Sequence, residues 1–188
     1  TNAQYAACAA AGVCAPPVVI ASLTREDYYT NEEFANFPMI NVEWEEAQTY
    51  CRWAGKRLPT EAEWELAVRG STPKAYSWGD EVPDCLKANI FDNPSMSSCV
   101  GDTAAVGSYP EGASEFGVMD MTGNVWEWVA DWYVSYPGSS SPFDYTGSMR
   151  VLRGGSWYDI GTNYARCAVR SIKGPNDTWY MVGFRCAR

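Results

Sequence analysis

The chain has 188 residues, 46% of them hydrophobic and 20% charged, which suits one globular domain with a sizeable core and excludes a disordered chain. A formal net charge of −9 argues against nucleic acid as a partner, and no apolar run reaches the roughly 20 residues that span a bilayer, so no membrane insertion is expected. There is no histidine, which removes Ser/His triads, imidazole bases and histidine-ligated zinc, copper or iron.

Thr1 is a candidate N-cap for an Ala-rich helix that runs to about Ala11 and stops near Gly12. Residues 13–38 hold Pro16, Pro17 and Pro38 and are expected to be irregular. Trp44, Ala47, Cys51 and Ala54 recur at helical spacing, which predicts a second helix over about 43–54, capped by Gly55. Thr60-Glu-Ala-Glu63 is a capping box behind Pro59 and opens a third helix with Trp64, Ala67 and Val68 facing inward and Gly70 at its end. Beyond it no helical period persists. Turn signals dominate, and short strands are predicted at 124–131, 150–153, 165–170 and 181–187. Residues 137–142 read as a loop tip. The fold class is α+β, a single domain over 1–188 with much ordered coil.

Seven cysteines are present, with no Cys-x-x-Cys pair. Local spacing pairs Cys8 with Cys14 and Cys85 with Cys99, which implies an oxidising setting: extracellular, cell-surface or periplasmic. No signal-peptide pattern opens the sequence, and a mature or trimmed chain looks the same. Three tempting features have plain readings. Lys56-Arg57 reads as a pair with buried stems supporting the turn after the second helix. Ser156 has no base and no nucleophile elbow. Trp126, Trp128 and Trp132 have the spacing of core residues rather than of a sugar platform.

Five stretches carry a resemblance: Ala54-Gly-Lys-Arg-Leu-Pro-Thr-Glu-Ala-Glu-Trp-Glu65, Tyr76-Ser-Trp-Gly-Asp80, Gly117-Val-Met-Asp-Met-Thr-Gly-Asn-Val-Trp-Glu-Trp128, Arg150-Val-Leu-Arg-Gly-Gly-Ser-Trp157 and Val182-Gly-Phe-Arg-Cys-Ala187. In order and spacing the chain resembles the formylglycine-generating (sulfatase-modifying factor) family over nearly its whole length. The resemblance implies a C-type-lectin-like fold whose usual first strand lies before Thr1. It also implies an oxidase whose two cysteines, in the segment after Gly-Gly-Ser, bind copper and engage a substrate thiol. Here Gly154 to Arg166 contains no cysteine, so copper is not expected, and a binding role is expected in place of catalysis. The alternative is a copper-dependent formylglycine-generating oxidase working through an unrecognised site.

The resemblance further implies a calcium loop: the carboxylates of Asp120 and Glu127 and the carbonyls of Gly123 and Val125, all hard oxygen donors. A second calcium position is implied near Asn89 and Ile90. It pairs Cys51 with Cys186. The family's usual partner for Cys167 lies near the end of the third helix, where this chain has Val68, so Cys167 is expected to be an unpaired thiol buried beside it. Finally, the family's C-terminal segment lines an upper surface. Here that segment offers Tyr158, Asp159, Ile160, Thr162, Asn163, Tyr164, Thr178, Trp179, Tyr180 and Met181. Aromatic side chains give contact area at low entropic cost and short polar ones give adaptable hydrogen bonds, as in a paratope. This set is the expected site for an unknown protein or other macromolecular ligand. Variable proteins of diversity-generating retroelements, catalytically dead relatives, diversify the same segment between the same fixed motifs.

Overall fold

The computed structural model describes residues 1–92, 97–138, 145–159 and 162–188, with the backbone alone for Asp92 and Thr162. Three helices precede all the strands. Helix α1 (Asn2–Ala10) starts where Thr1 and Gln4 complete a capping box, and the Cys8–Cys14 disulfide ties its body to the following loop. Helix α2 (Trp44–Trp53) buries Trp44, Ala47 and Cys51 of the predicted face, while Ala54 caps its end partly buried. Helix α3 (Glu61–Arg69) begins at the Thr60–Glu63 box and ends at Gly70, whose φ of 70° favours glycine.

The strands form two sheets. Strands β1 (Phe91–Asp92) and β2 (Ser97–Ser98) make a small antiparallel ribbon. Strands β3 (Trp126–Trp132), β4 (Arg150–Arg153), β5 (Arg170–Lys173) and β6 (Val182–Phe184) form a sheet in the order β5-β4-β3-β6. The chain from β5 returns across the sheet, so β6 runs parallel to β3 while the other pairs are antiparallel.

Side-chain alternation along the strands builds two clusters. Trp126, Trp128 and Leu152 pack with Trp44, Ala47 and Cys51 of α2. Val129 and Val151 pack with Trp64 and Val68 of α3 and with Cys167. The sheet is therefore clamped between the two helices. Arg150 adds a second clamp: its guanidinium lies 3.4 Å from the Trp44 ring centre and 3.5 Å from that of Trp132. The Cys51–Cys186 disulfide locks α2 to the chain after β6, and Cys85–Cys99 closes the ribbon loop.

Three expectations are corrected. The strand expected at 165–170 lies later. Thr162–Ala165 form a 3-10 turn, and the carbonyls of Cys167 and Val169 accept from the buried guanidinium of Arg153 at 2.6 and 2.8 Å. Those acceptors serve a side chain, so sheet pairing starts only at Arg170. Residues 13–38 are irregular as expected, apart from a short 3-10 turn at Glu32–Phe34 opened by the Asn31 side chain. Lys56 and Arg57 are exposed rather than buried at their stems, because Arg57 reaches back to Glu63 with two bonds of 2.6 Å. Trp132 is 41% exposed: one ring face covers Arg150 at the end of β3, beyond the core.

Candidate binding face and cation pocket

The Gly154-Gly-Ser-Trp157 turn sets the first half of the site. A side chain on Gly155, at φ 75°, would collide with the carbonyl of Tyr164 at 2.9 Å. Glycine therefore lets the 3-10 turn close over the motif. Ser156 donates its hydroxyl to Asp159 at 2.7 Å and its N–H to the same carboxylate oxygen at 2.9 Å, which turns Asp159 inward. The buried Trp157 supports Tyr158 and Tyr180 from beneath, with ring centres 5.3 and 6.2 Å away, while Tyr158 and Tyr180 meet edge to face at 5.8 Å.

The second half comes from β5 and the loop before β6. A cavity of about 320 Å³ lies there. Leu152, Met181 and Val182 give it apolar walls, and Asp159, Tyr164, Lys173 and Trp179 carry its polar and aromatic groups. Lys173 holds its ammonium 3.1 Å from the Trp179 ring centre. Burial pushes the Lys173 pKa down, while the charge of Asp177 pulls it back up. Tyr158, Tyr164 and Trp179 are 48, 51 and 43% exposed, so this face offers large aromatic area to solvent.

The structure thus brings together Tyr158, Asp159, Tyr164, Trp179, Tyr180 and Met181 of the predicted set. Two of them differ from the expected loop surface. Met181 is only 4% exposed, since it packs into the α2 cluster and forms cavity wall. Tyr180 is half-buried against Trp157. Asn163 and Thr178 are exposed at the margins, only the backbone of Thr162 is described, and Ile160 lies outside the described residues. Lys173 and Ser171 escaped the sequence reading because the strand was expected earlier. An alternation check on Arg170-Ser-Ile-Lys173 would have found them.

Of the predicted calcium residues, Asp120, Val125 and Glu127 line a separate cavity of about 300 Å³ beside β6, with Arg185 among others. Its loop is built by backbone that turns left-handed at Asp120, Gly123 and Asn124, with φ of 58, 76 and 62°. A side chain on Gly123 would lie 2.4 Å from the Asn89 carbonyl, which Asn124 N–H approaches to 2.7 Å. That contact joins the two predicted calcium positions. Asp120 accepts from Gly107 N–H through one oxygen, and its other oxygen takes no hydrogen bond among the described residues. Burial raises the Asp120 pKa, partly offset by that bond and by Arg185.

Glu127 is less free. It accepts from Trp64 Nε1 at 2.6 Å and from Arg185 Nε and Nη2 at 2.7 Å each. Arg185 also donates to the carbonyls of Met119 and Asp120. Among the described residues no three acidic or thiol side chains converge, so a calcium ion here would rest on Asp120, a shared Glu127 and main-chain carbonyls. At the second position Asn89 Oδ1 is buried with no hydrogen-bond partner, a hard oxygen free for a cation, while the Ile90 carbonyl already accepts from Cys99 N–H. The residues present fit calcium in donor chemistry.

The unpaired thiol lies elsewhere. Cys167 is buried beside Val68, and burial pushes its pKa up to about 11.

The family described as sulfatase-modifying factor enzyme 1-like domain matches residues 1–188. The formylglycine-generating enzyme of Streptomyces coelicolor is 42% identical over 168 residues, covering 81% of this chain and 52% of that protein. A Bos taurus protein named inactive C-alpha-formylglycine-generating enzyme 2 is 35% identical over 164 residues, covering 82% of this chain and 51% of that protein. The chain spans about half the length of these curated relatives. Among solved structures, Treponema denticola variable protein 1 superposes with a TM-score of 0.71 at 24% identity, covering 96% of this chain and 79% of that one, which shows the fold alone.

Proposed function

The chain belongs to the sulfatase-modifying factor enzyme 1-like family, and on that premise we propose that it is a non-catalytic binding domain whose site is the face around Tyr158, Tyr164 and Trp179. One observation carries the reading. Exposed Tyr164 and Trp179 line a cavity of about 320 Å³, exposed Tyr158 adjoins its wall residue Asp159, and the segment from Gly154 to Arg166, where the family resemblance puts two thiolates, has no cysteine. The rigid turn beneath them suits recognition, since interface anchors act best when pre-organised. The partner is an unknown protein or other macromolecule, bound through aromatic anchors with Lys173 and Asp159 at the cavity. The Treponema denticola structure is named a variable protein, which agrees with diversification, placed in this reading in the segment between Gly154-Gly-Ser-Trp157 and Gly183-Phe-Arg185. The three disulfides support an extracellular, cell-surface or periplasmic setting. Calcium, in this reading, is structural and no copper is bound.

The test is selection of a phage-displayed random peptide library on the immobilised domain. Clones that lose binding to Trp179→Ala and Tyr158→Ala, with the melting temperatures unchanged, support the site. Clones that bind parent and variants equally contradict it. A reverse transcriptase gene beside a second copy of the coding region for 157–181 would support diversification.

The second reading is a formylglycine-generating oxidase, favoured by the 42% identity to the Streptomyces coelicolor enzyme. Under it the same cavity would receive a substrate cysteine.

A further inference from the structure

A chain of ion pairs crosses the domain behind α3. Glu61 binds Arg170 through two bonds of 2.6 and 2.8 Å and lies 3.6 Å from Arg153. Arg153, fully buried, donates to Glu65 at 2.6 Å, and Glu65 meets Arg69 at 3.2 Å. Three guanidinium groups thus share two carboxylates. The surplus positive charge has a natural outlet at Arg69, the end of the chain. Its Nε is buried and makes no hydrogen bond, because its contact with Glu65 is an ion pair without donor alignment.

Arg69 lines a cavity of about 270 Å³ together with Lys74, Arg166 and Asp80. Three cations and one carboxylate thus line it, with Glu65 paired to Arg69 and Glu115 to Lys74 beside it, in a protein whose net charge is −9. Asp80 already accepts from Ala75 N–H at 2.8 Å, and Lys74 is loosely paired with Glu115 at 3.4 Å. Arg166 is exposed and has no carboxylate partner among the described residues. An arginine fork presents five donors in a plane that matches the oxygens of an oxyanion. This cavity shares no lining residue with the aromatic face or with the pocket beside β6.

We infer that this cavity is a binding site for a compact oxyanion, a phosphate group, held by Arg166, Arg69 and Lys74. Nothing in the inference depends on what the aromatic face binds.

Titration calorimetry at constant ionic strength tests it, with inorganic phosphate and O-phosphoserine as probes and chloride as the balancing salt. Saturable binding of either probe with Kd of about 1 mM or tighter is expected. Arg166→Ala, on an exposed side chain, should weaken it about tenfold or more at an unchanged melting temperature, as loss of a charged hydrogen-bond donor does. Lys74→Ala should weaken it as well, and Trp179→Ala should leave it intact. Stronger binding of inorganic phosphate supports a free anion as ligand, and stronger binding of the ester supports a phosphorylated one. No saturable binding of either probe, or undiminished binding to Arg166→Ala, overturns the assignment.

Discussion

Lys173 lies on β5 and Trp179 on the loop before β6, yet the ammonium sits 3.1 Å from the indole ring centre. This contact joins the free edge strand of the sheet to the loop that carries the aromatic face. It pre-orders Trp179 while leaving 43% of it open to solvent. Trp179→Ala should therefore cost a bound partner about 2 kcal/mol or more, with little change in melting temperature. Tyr180→Ala behaves differently. Tyr180 is half-buried against Trp157 and Tyr158, so its truncation should lower the melting temperature as well as affinity. Calorimetric melting beside a binding assay separates the two. A large loss of stability in Trp179→Ala would show that the face is core.

Calcium should stabilise the domain through Asp120. An ion that binds only the folded state contributes about 2.7 kcal/mol at a hundredfold excess over Kd. Melting in calcium and in chelator should differ for the parent and coincide for Asp120→Ala. Arg185→Met should lower stability by about 3–5 kcal/mol, because it strands Glu127 as an uncompensated buried charge. If calcium shifts neither the parent nor Arg185→Met, the pocket beside β6 is no cation site.

The acid limb reports on the start of α3. Glu63 bonds Arg57 and the Thr60 N–H, which lowers its pKa from 4.5 to about 2, Arg57 being the largest cause. A carboxyl whose folded pKa is depressed adds stability above its unfolded pKa and loses it as pH falls through the folded one. The loss therefore falls between about 4.5 and about 2. Glu63 is solvent-exposed, so its contribution is small. Glu63→Gln should flatten the stability curve in that window, and an unchanged slope would contradict the pairing.

Peptide mapping without reduction should recover Cys8–Cys14, Cys51–Cys186 and Cys85–Cys99 as linked pairs. Cys167 should react with a thiol reagent only on unfolding, because its thiol is buried and its pKa is pushed up to about 11. Cys51–Cys186 spans 135 residues, and replacing both with Ala should cost about 4–5 kcal/mol in the chain-entropy account. Rapid labelling of Cys167 in the folded protein would contradict this.

Much of this was legible in the sequence. The Thr1 N-cap with its Ala-rich run located α1, helical spacing located α2 and the Thr60–Glu63 capping box located α3, since local rules dominate there. The strand after Gly154 was not legible, because a distant side chain, Arg153, claims the carbonyls of Cys167 and Val169. The aromatic face was legible as composition between fixed motifs. The burial of Met181 and the capture of Lys173 by Trp179 depend on the return of the chain to β6. The oxyanion cavity depends on α3 and the residues around Cys167 meeting in space, which no local pattern encodes.

The central claim is that the cavity beside Asp159 and Tyr164 binds a partner and does not oxidise one. Incubating the domain with copper, oxygen and a sulfatase-type cysteine peptide, and following the peptide by mass spectrometry, tests it most directly. The peptide mass should stay unchanged while the Streptomyces coelicolor enzyme, run alongside, converts it. Loss of the thiol with gain of an aldehyde, above the rate without the domain, would make the chain an oxidase and contradict the account.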